Sequence, residues 1–242
     1  MKVVIVGGVA GGASAAARIR RLDEKAEIVV FERSGYVSYA NCGLPYYIGG
    51  VIEDPEDLTL QTPESFLERF CITMKVHHAV TAIHPERKTV SVKNLETLEE
   101  FEESYDKLLL SPGARPTQPP LPGIGIERLF TLRTVEDTLK IREFIDKHHP
   151  KSAVLAGGGF IGLELAENLR ELGLDVTIVQ KPMQLLNPLD EEMACFLHAQ
   201  MRKHGVHLML GHLVEGFRQN GEQVDVLLEG ASPLTADLVI LA

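Results

Sequence analysis

The stretch KVVIVGGVAGGASAAARIRRL, residues 2–22, joins an apolar run, a glycine-rich turn and a run of small residues. The apolar run Lys2–Val6 is short and mostly β-branched, which is typical of a buried parallel strand. The sequence predicts a helix over Ala13–Leu22 and a second strand over Ala26–Phe31, followed directly by Glu32. Strand, glycine turn, helix, strand and terminal acid follow the order of a dinucleotide-binding βαβ unit. Glu32, 20 residues beyond the last glycine of the turn, is where that unit needs a carboxylate for a ribose diol.

The pattern recurs in SAVLAGGGFIGLELAENLRELGLDVTIVQ, residues 152–180, with a complete G-x-G-x-x-G at Gly157, Gly159 and Gly162. The first glycine permits the tight turn, the second lets backbone N–H groups approach a pyrophosphate, and the third lets helix and strand pack closely. The helix predicted over Leu163–Leu172 directs the positive end of its dipole at the phosphates. One glycine motif is a weak signal, but two in full context, 150 residues apart, predict two dinucleotide sites. We therefore expect a flavin and a nicotinamide that exchange hydride.

These patterns predict an α/β fold with two Rossmann-like units in three layers. Residues 1–150 are expected to form an incomplete FAD-binding domain with a β-rich insertion, and residues 151–242 a truncated NAD(P)H-binding domain. Thr62 and Thr134 are predicted to cap helices that run to Phe70 and to about Lys147. Short strands are predicted over residues 72–76, 79–83, 89–92, 98–103 and 105–110.

The composition limits the kinds of partner. Apolar residues make up 45% and charged residues 24% of the chain, which is typical of a globular protein, and the net charge is −10. Because an acidic surface repels phosphate backbones, binding of nucleic acid through a broad basic face is disfavoured. No apolar run reaches the length of a membrane span, and three dispersed cysteines indicate a reducing compartment. We expect a cytoplasmic protein with no metal site, no nucleic-acid partner and no membrane partner.

Cys42 lies where a redox-active cysteine is expected. It follows the small and polar residues 38–41 and precedes an apolar stretch, predicted to be helical, that runs to Ile48. Backbone dipoles at a helix N-terminus stabilise a thiolate. The alternative is that Cys42 is a small buried hydrophobe, as free cysteines often are. Cys71 and Cys195 are interpreted as core residues.

The spacing of the cysteines restricts the chemistry of Cys42. Flavin-dependent disulfide reductases of the glutathione reductase type carry C-x-x-x-x-C, whereas Tyr47 occupies the second cysteine position here. A single thiolate must therefore cycle as a mixed disulfide with a substrate thiol or as a sulfenic acid.

A family resemblance is carried by five segments: Gly7–Ser14, Ser38–Tyr46, Leu60–Phe66, Tyr105–Arg115 and Gly157–Glu164. With them the chain resembles the amino-terminal half of the coenzyme A-disulfide reductases, and equally of the NADH-dependent persulfide reductases, among the single-cysteine flavoprotein disulfide reductases. The most specific segment is Asn41-Cys42-Gly43-Leu44-Pro45-Tyr46. NADH oxidases and peroxidases of the same group usually carry a serine before the cysteine and no Leu-Pro-Tyr after it.

The resemblance implies roles for individual residues. Cys42 would be the redox nucleophile that forms a mixed disulfide with coenzyme A, and Ser38 and Asn41 would line its approach. Ser14, Arg18 and Arg21 would contact coenzyme A, whose phosphates suit guanidinium groups; a solvated helix end is the alternative for both arginines. The implied FAD-binding residues are Gly7, Val9, Ala10, Gly12, Glu32, Arg33, Val80, Ser111 and Gly113. The implied nicotinamide-cofactor residues are Gly157, Gly159, Ile161, Gly162 and Gln180.

The sequence departs from the family pattern at three places. Val9 replaces the middle glycine of the first motif, which is usual in this subgroup. Gln180 stands where an acid would favour NADH; it can bond a ribose hydroxyl without repelling a 2′-phosphate, so NADH and NADPH both stay open. A slight preference for NADH is expected because no arginine lies nearby. Family members continue past Ala242 into the rest of the flavin domain and a dimerisation domain. We therefore expect a fragment of a homodimeric parent protein.

Two other functions remain open. An NADH oxidase or peroxidase would use a sulfenic acid at Cys42 instead of a mixed disulfide. A nucleotide-binding module without turnover would bind dinucleotide and leave Cys42 unused. The predicted substrate of the favoured function is a small-molecule disulfide or persulfide.

Overall fold

The computed structural model describes all of residues 1–242, which form two compact units. The first unit comprises Met1–Ala40 and Pro55–Arg115, and the second comprises Asn41–Asp54 and Pro116–Ala242. The assignment of FAD to residues 1–150 and of NAD(P)H to residues 151–242 stays a prediction.

Both units are built from helices and short strands. The helices are α1 (Ala10–Leu22), α2 (Leu44–Ile48), α3 (Pro63–Phe70), α4 (Val135–His148), α5 (Phe160–Glu171) and α6 (Glu191–Lys203). The first unit contains the strands β1 (Lys2–Val6), β2 (Glu27–Phe31), β3 (Thr73–Lys75), β4 (His78–His84), β5 (Thr89–Asn94), β6 (Glu100–Ser104) and β7 (Lys107–Leu110). The second unit contains β8 (Leu129–Thr131), β9 (Ser152–Ala156), β10 (Asp175–Gln180), β11 (His207–Leu210), β12 (Val214–Asn220), β13 (Gln223–Leu228), β14 (Leu234–Ala236) and β15 (Leu238–Leu241).

The first unit has three layers. A parallel sheet with the strand order β3-β2-β1-β7 carries apolar residues on both faces. Val3 and Ile5 of β1 pack with Ala13 and other small residues of α1. Because side chains alternate along a strand, Val4 faces the opposite way, and it packs with Val92 of the antiparallel sheet β4-β5-β6.

The second unit repeats this architecture. Its parallel sheet has the order β11-β10-β9-β15-β8, and α5 packs on β9 and β10. Val154 and Val239 of this sheet pack with Phe217 and Val226 of a second antiparallel sheet, β12-β13-β14. The predicted α/β class with two Rossmann-like units is therefore confirmed.

In each unit an aspartate joins two adjacent parallel strands, β1 and β7 in the first unit and β9 and β15 in the second. Asp106, just before β7, accepts a hydrogen bond from the backbone N–H of Lys2 (2.6 Å). Asp237, just before β15, accepts from the N–H groups of Lys151 (2.7 Å) and Ser152 (3.0 Å). Burial alone would raise the pKa of Asp237, but hydrogen bonds from Gln223, Lys151 and Ser152 hold it below its usual value.

Several expectations are corrected by the structure. Helices α1 and α5 each begin three residues earlier than predicted, at Ala10 and Phe160, because the second half of each glycine turn is already helical. Cys71 and Cys195 are exposed and not in the core. Cys71 ends α3 with a left-handed backbone (φ +49°), and Cys195 lies on the solvent face of α6. None of the helices has the length and apolar character needed to cross a bilayer.

Candidate dinucleotide sites and redox cysteine

The turn after β1 is closed by contacts that require glycine at two positions. Gly7 has φ +96°, and a Cβ there would lie 2.0 Å from the carbonyl oxygen of Ser111. A Cβ on Gly12 would lie 1.7 Å from the carbonyl oxygen of Gly7. Ser111 is itself fixed, since its N–H donates to the carbonyl of Val6 (2.8 Å). The turn therefore brings the predicted residues Gly7, Gly12 and Ser111 into one tightly packed group.

The start of α1 is available to an anion. Val9 is the N-cap residue and makes no side-chain capping bond, and the first turn holds no acidic residue. The backbone N–H groups of a first helical turn have no partner within the helix, so they attract negatively charged ligands. Ala10 and Gly11 are exposed there. This arrangement fits a pyrophosphate.

Glu32 is oriented by the turn that it adjoins. Its Oε2 accepts a hydrogen bond from the N–H of Gly8 (2.7 Å), and its Oε1 accepts one from the N–H of Ser34 (2.8 Å). Each carboxylate oxygen has a second lone pair, so both can still accept from ligand hydroxyls. The carboxylate therefore fits the ribose contact expected of it.

The other residues predicted to bind FAD differ in their surroundings. The side chain of Val80 packs on the core cluster of Val4 and Phe31, which leaves its backbone as the group that could contact a ligand. Arg33 and Gly113 are exposed, and nothing lies within 4 Å of the Cβ position of Gly113. Their roles stay predictions.

Three residues predicted to contact coenzyme A lie on one exposed face of α1. Ser14, Arg18 and Arg21 are spaced four and three positions apart, which places them along the same side of a helix, and all are exposed. Arg20, between them, has a structural role: its Nε donates to the carbonyl of Phe70 (2.7 Å). Sequence reasoning had no signal that separates Arg20 from its neighbours.

Ser38 adopts a left-handed backbone with φ +50°. Its N–H donates to the carbonyl of Gly8 (3.0 Å), and its carbonyl accepts from the N–H of Leu60 (2.9 Å). Both partners belong to the first unit, so Ser38 is fixed beside the glycine turn.

Cys42 belongs to the second unit and is exposed. It occupies a 3₁₀ turn, Asn41–Gly43, that leads directly into the five-residue helix α2. Beside it, the Oδ1 atom of Asn41 is buried and has no hydrogen-bond partner in the protein. An unpaired buried acceptor is costly, so this oxygen is available to a donor from a ligand.

The support beneath Cys42 is rigid. Leu44 and Ile48 of α2 are fully buried, and α2 packs against α4 and α5. Arg142 of α4 donates through Nη1 to the carbonyl of Ile48 (3.1 Å). Gly49, which follows α2, lies so close to Asn168 of α5 that a Cβ would be 2.1 Å from Asn168 Oδ1. Neither Gly49 nor Asn168 was found from the sequence, because this contact joins residues far apart in the chain.

The three glycines of the second turn, Gly157, Gly159 and Gly162, differ in how closely other atoms approach them. A Cβ on Gly157 would lie 2.0 Å from the carbonyl oxygen of Ala242, and one on Gly162 would lie 2.2 Å from that of Gly157. At Gly159, by contrast, no atom lies within 4 Å of the Cβ position. The open space at Gly159, with no side-chain cap on α5, fits a pyrophosphate that approaches the backbone.

The first residues of α5 expose apolar side chains. Phe160 is 67% exposed and Ile161 is 37% exposed, which leaves both available to a ligand. Glu164 lies one turn further along, where burial and the neighbouring Glu167 raise its pKa.

Gln180 repeats the arrangement of Glu32. Its Oε1 accepts a hydrogen bond from the N–H of Gly158 (3.0 Å), as Glu32 accepts from Gly8 in the first unit. Its Nε2 lies 3.5 Å from the carbonyl oxygen of Gln184, in the loop that follows β10. The amide therefore ends beside the glycine turn, where a ribose hydroxyl could donate to it or accept from it.

The chain belongs to the pyridine nucleotide-disulphide oxidoreductase family, whose model matches residues 1–242. A relative from Staphylococcus haemolyticus (strain JCSC1435), named coenzyme A disulfide reductase, is 40% identical over 237 residues, which cover 95% of this chain and 53% of the relative. The chain thus spans about half the length of the curated relatives it matches.

Solved structures agree with this assignment. The crystal structure of the reduced Bacillus anthracis protein CoADR-RHD is 48% identical, with a TM-score of 0.96 over 100% of this chain and 43% of that one. A NAD-dependent persulfide reductase from A. fulgidus is 36% identical, with a TM-score of 0.94 over 100% of this chain and 46% of that one. The predicted resemblance to these two groups of reductases is confirmed.

Proposed function

We propose that this chain carries the dinucleotide sites and the redox cysteine of an NAD(P)H-dependent flavoprotein that reduces coenzyme A disulfide or a related persulfide. The names of the relatives, a coenzyme A disulfide reductase and a persulfide reductase, support this substrate class. The observation that carries the proposal is the exposed, unpaired thiol of Cys42 on a buried support, in a chain with two glycine turns open to anions.

Each of the two glycine turns is the proposed site of one cofactor. We place FAD at Gly7–Gly12 with Glu32 on its ribose, and the nicotinamide cofactor at Gly157–Gly162 with Gln180 on its ribose. When bound, FAD supplies a two-electron relay between a nicotinamide and a thiol or disulfide. The uncapped starts of α1 and α5 bind the pyrophosphates, and the two strand-end side chains orient the riboses.

Cys42 performs the exchange of sulfur bonds. Its thiolate attacks one sulfur of coenzyme A disulfide; a bond forms between Sγ and that sulfur, the S–S bond of the substrate breaks, and the second sulfur leaves as a thiolate. Two electrons and one proton then convert the mixed disulfide to the Cys42 thiolate and a free coenzyme A thiol. The oxidation of one NAD(P)H to NAD(P)⁺ supplies these two electrons.

The remaining residues bind the substrate. Arg18 and Arg21 on the exposed face of α1 suit the phosphates of coenzyme A, and Ser14 can donate to the same groups. Asn41 offers its unpartnered Oδ1 to a donor beside Cys42. The parent protein is proposed to be a cytoplasmic homodimer.

The test is the replacement of each cysteine in the intact protein. Cys42→Ser is expected to retain the yellow colour of bound flavin and to abolish NADH-dependent reduction of coenzyme A disulfide. Cys71→Ser and Cys195→Ser are matched controls, because both thiols are also exposed, and each should retain full turnover. Turnover by Cys42→Ser, or a colourless wild-type protein, would overturn the proposal.

A second assay separates disulfide reduction from oxidase or peroxidase activity. The wild-type protein should oxidise NADH rapidly with coenzyme A disulfide or a persulfide, and slowly with oxygen or peroxide alone. The opposite ranking would assign Cys42 to sulfenic acid chemistry.

A further inference from the structure

The loop of residues 181–190, between β10 and α6, is held by a buried histidine. The backbone N–H of Leu185 donates to His198 Nε2 at 3.1 Å. Leu185 is fully buried and His198 is 9% exposed, so water cannot replace this bond easily. His198 lies on α6, 13 residues further along the chain.

On its other side, the same loop contacts the second glycine turn. The N–H of Leu186 donates to the carbonyl of Gly158 (2.9 Å). The side chain of Leu185 covers Gly158 so closely that a Cβ there would lie 2.3 Å from Leu185 Cδ2. Gly158 is also the residue whose N–H orients Gln180. His198, the loop, Gly158 and Gln180 thus form one connected set.

The bond requires a neutral imidazole. A ring nitrogen that accepts from a backbone N–H carries no proton, so the proton of His198 is on Nδ1. Burial, together with the cationic Arg202 one turn away on α6, lowers the pKa of His198 and favours this neutral form. His198 therefore acts as a fixed acceptor within the loop's support.

We propose that His198 is a positioning residue for the nicotinamide cofactor: it holds the 181–190 loop against Gly158 and so keeps Gln180 oriented toward the adenosine ribose. The inference rests on the proposed function of Gly157–Gly162 and adds a residue that does not touch the cofactor. Without the Nε2 acceptor, the N–H of Leu185 would be buried and unpaired, and the loop would move to hydrate it.

The experiment compares three variants with the wild-type chain. His198→Leu removes the acceptor, His198→Gln restores an acceptor oxygen at a similar reach, and Gln200→Leu is a matched control at an exposed position on the same helix. The dissociation constant of NADH is measured from its own fluorescence under anaerobic conditions, with any bound flavin already reduced so that NADH is not oxidised during the titration. Amide hydrogen exchange of residues 181–190 is followed in the same samples.

His198→Leu is expected to raise the dissociation constant about tenfold, since returning the moved loop to its binding conformation would again bury the unpaired N–H of Leu185, at a cost equivalent to about one power of ten in affinity. It should also speed exchange of the 181–190 amides. His198→Gln and Gln200→Leu should match the wild type in both measurements. In the intact enzyme, His198→Leu should raise KM for NADH and leave kcat at saturating NADH unchanged, because Gln180 acts in binding and not in the chemistry.

The outcomes distinguish this inference from the proposed function. If the wild-type chain binds no NADH, the assignment of the second glycine turn fails and the role of His198 fails with it. If the wild type binds but His198→Leu binds equally well, only the role of His198 is overturned. Should His198→Leu not fold, His198→Asn takes its place, because its shorter side chain cannot reach the N–H of Leu185, and unchanged NADH affinity in that variant would overturn the role of His198 in the same way.

Discussion

Gln180 Oε1 accepts a hydrogen bond from the backbone N–H of Gly158 at 3.0 Å, so the side chain that ends β10 is anchored to the turn before α5. In the first unit a carboxylate makes the corresponding bond, from Glu32 to Gly8 at 2.7 Å. The side chain at the end of the second strand thus bonds the glycine turn in both units, but it is a neutral amide in one and a carboxylate in the other. This difference bears directly on the choice of cofactor.

Gln180→Glu is expected to shift the enzyme toward NADH. The carboxylate can keep the bond to Gly158 and accept from both ribose hydroxyls, but it repels a 2′-phosphate, so the ratio of kcat/KM for NADH over NADPH should rise about tenfold or more. Steady-state kinetics with both cofactors measure the ratio. Gln200→Glu adds the same charge at an exposed position and should leave it unchanged. An unaltered ratio in Gln180→Glu would place the ribose elsewhere.

Gly159→Ala should weaken NADH binding without changing stability, whereas Gly162→Ala should lower the stability of the fold. The methyl group at position 159 enters open space, so the free energy of unfolding should stay unchanged, while NADH affinity falls about tenfold or more as charge-assisted bonds to the pyrophosphate lengthen. The methyl group at position 162 would lie 2.2 Å from the carbonyl of Gly157, so it should destabilise the chain by about 1–3 kcal/mol. Denaturant titration and NADH fluorescence separate the two effects. Equal losses of stability would contradict this assignment of roles.

Gly49→Ala should destabilise the second unit through one identifiable contact. The new methyl group would lie 2.1 Å from Asn168 Oδ1, and forced repacking of this kind costs about 1–3 kcal/mol. Asn168→Ala alone carries a cost of its own, because it removes the hydrogen bond from Nδ2 to the carbonyl of Glu164 (2.7 Å), although Oδ1 has no partner to lose. The double variant should be less destabilised than the sum of the two single variants, which a double-mutant cycle of unfolding free energies measures. Additive effects would mean that the two residues do not share this contact.

The stability of the chain should depend on Asp225 below pH 4. Hydrogen bonds from Arg218, Asn220 and Thr235 lower the pKa of Asp225 from 3.8 to about 2. A carboxyl group whose pKa is lower in the folded state stabilises folding above its unfolded pKa, and this contribution is lost as the pH falls from 3.8 toward about 2. Asp225→Asn should be less stable at neutral pH and should flatten the pH dependence in that window. A wild-type curve that is already flat there would refute the expectation.

The sequence was sufficient to predict the parts of the fold that depend on local patterns. Strand β1 matches its predicted bounds, because a run of apolar residues before a glycine turn leaves little choice of structure. The packing roles of Gly7, Gly12, Gly157 and Gly162 agree with the motif, since each glycine meets backbone within its own unit. The second antiparallel sheet, β12-β13-β14, was not predicted: β12 is mostly polar and β14 has only three residues, although the apolar residues of β13 carried a strand signal.

The parts of the site that sequence reasoning missed are set by contacts between distant residues. Asn168 and Gly49 are 119 positions apart in the printed sequence, and nothing near either residue signals their approach. Nothing in the sequence around His198 distinguishes it from other histidines on amphipathic helices, because its role depends on a contact with Leu185 in a separate loop. Cys71 was expected to be buried because it was assigned to an apolar strand, but it ends α3 with a left-handed backbone (φ +49°) and is exposed. Local residue type does not determine burial at a helix terminus.

The hydrogen bonds of Asp106 and Asp237, which join parallel strands in the two units, affect the order in which the strands pair during folding. Asp106 and Lys2 are 104 residues apart in the chain, and Asp237 and Lys151 are 86 apart. Bringing such remote segments together costs loop entropy before any bond is gained, so sheets of this kind form slowly. The strand pairs β1–β7 and β9–β15 are therefore expected to form late during refolding. Until then, the central strand of each parallel sheet keeps an open edge that is prone to aggregation.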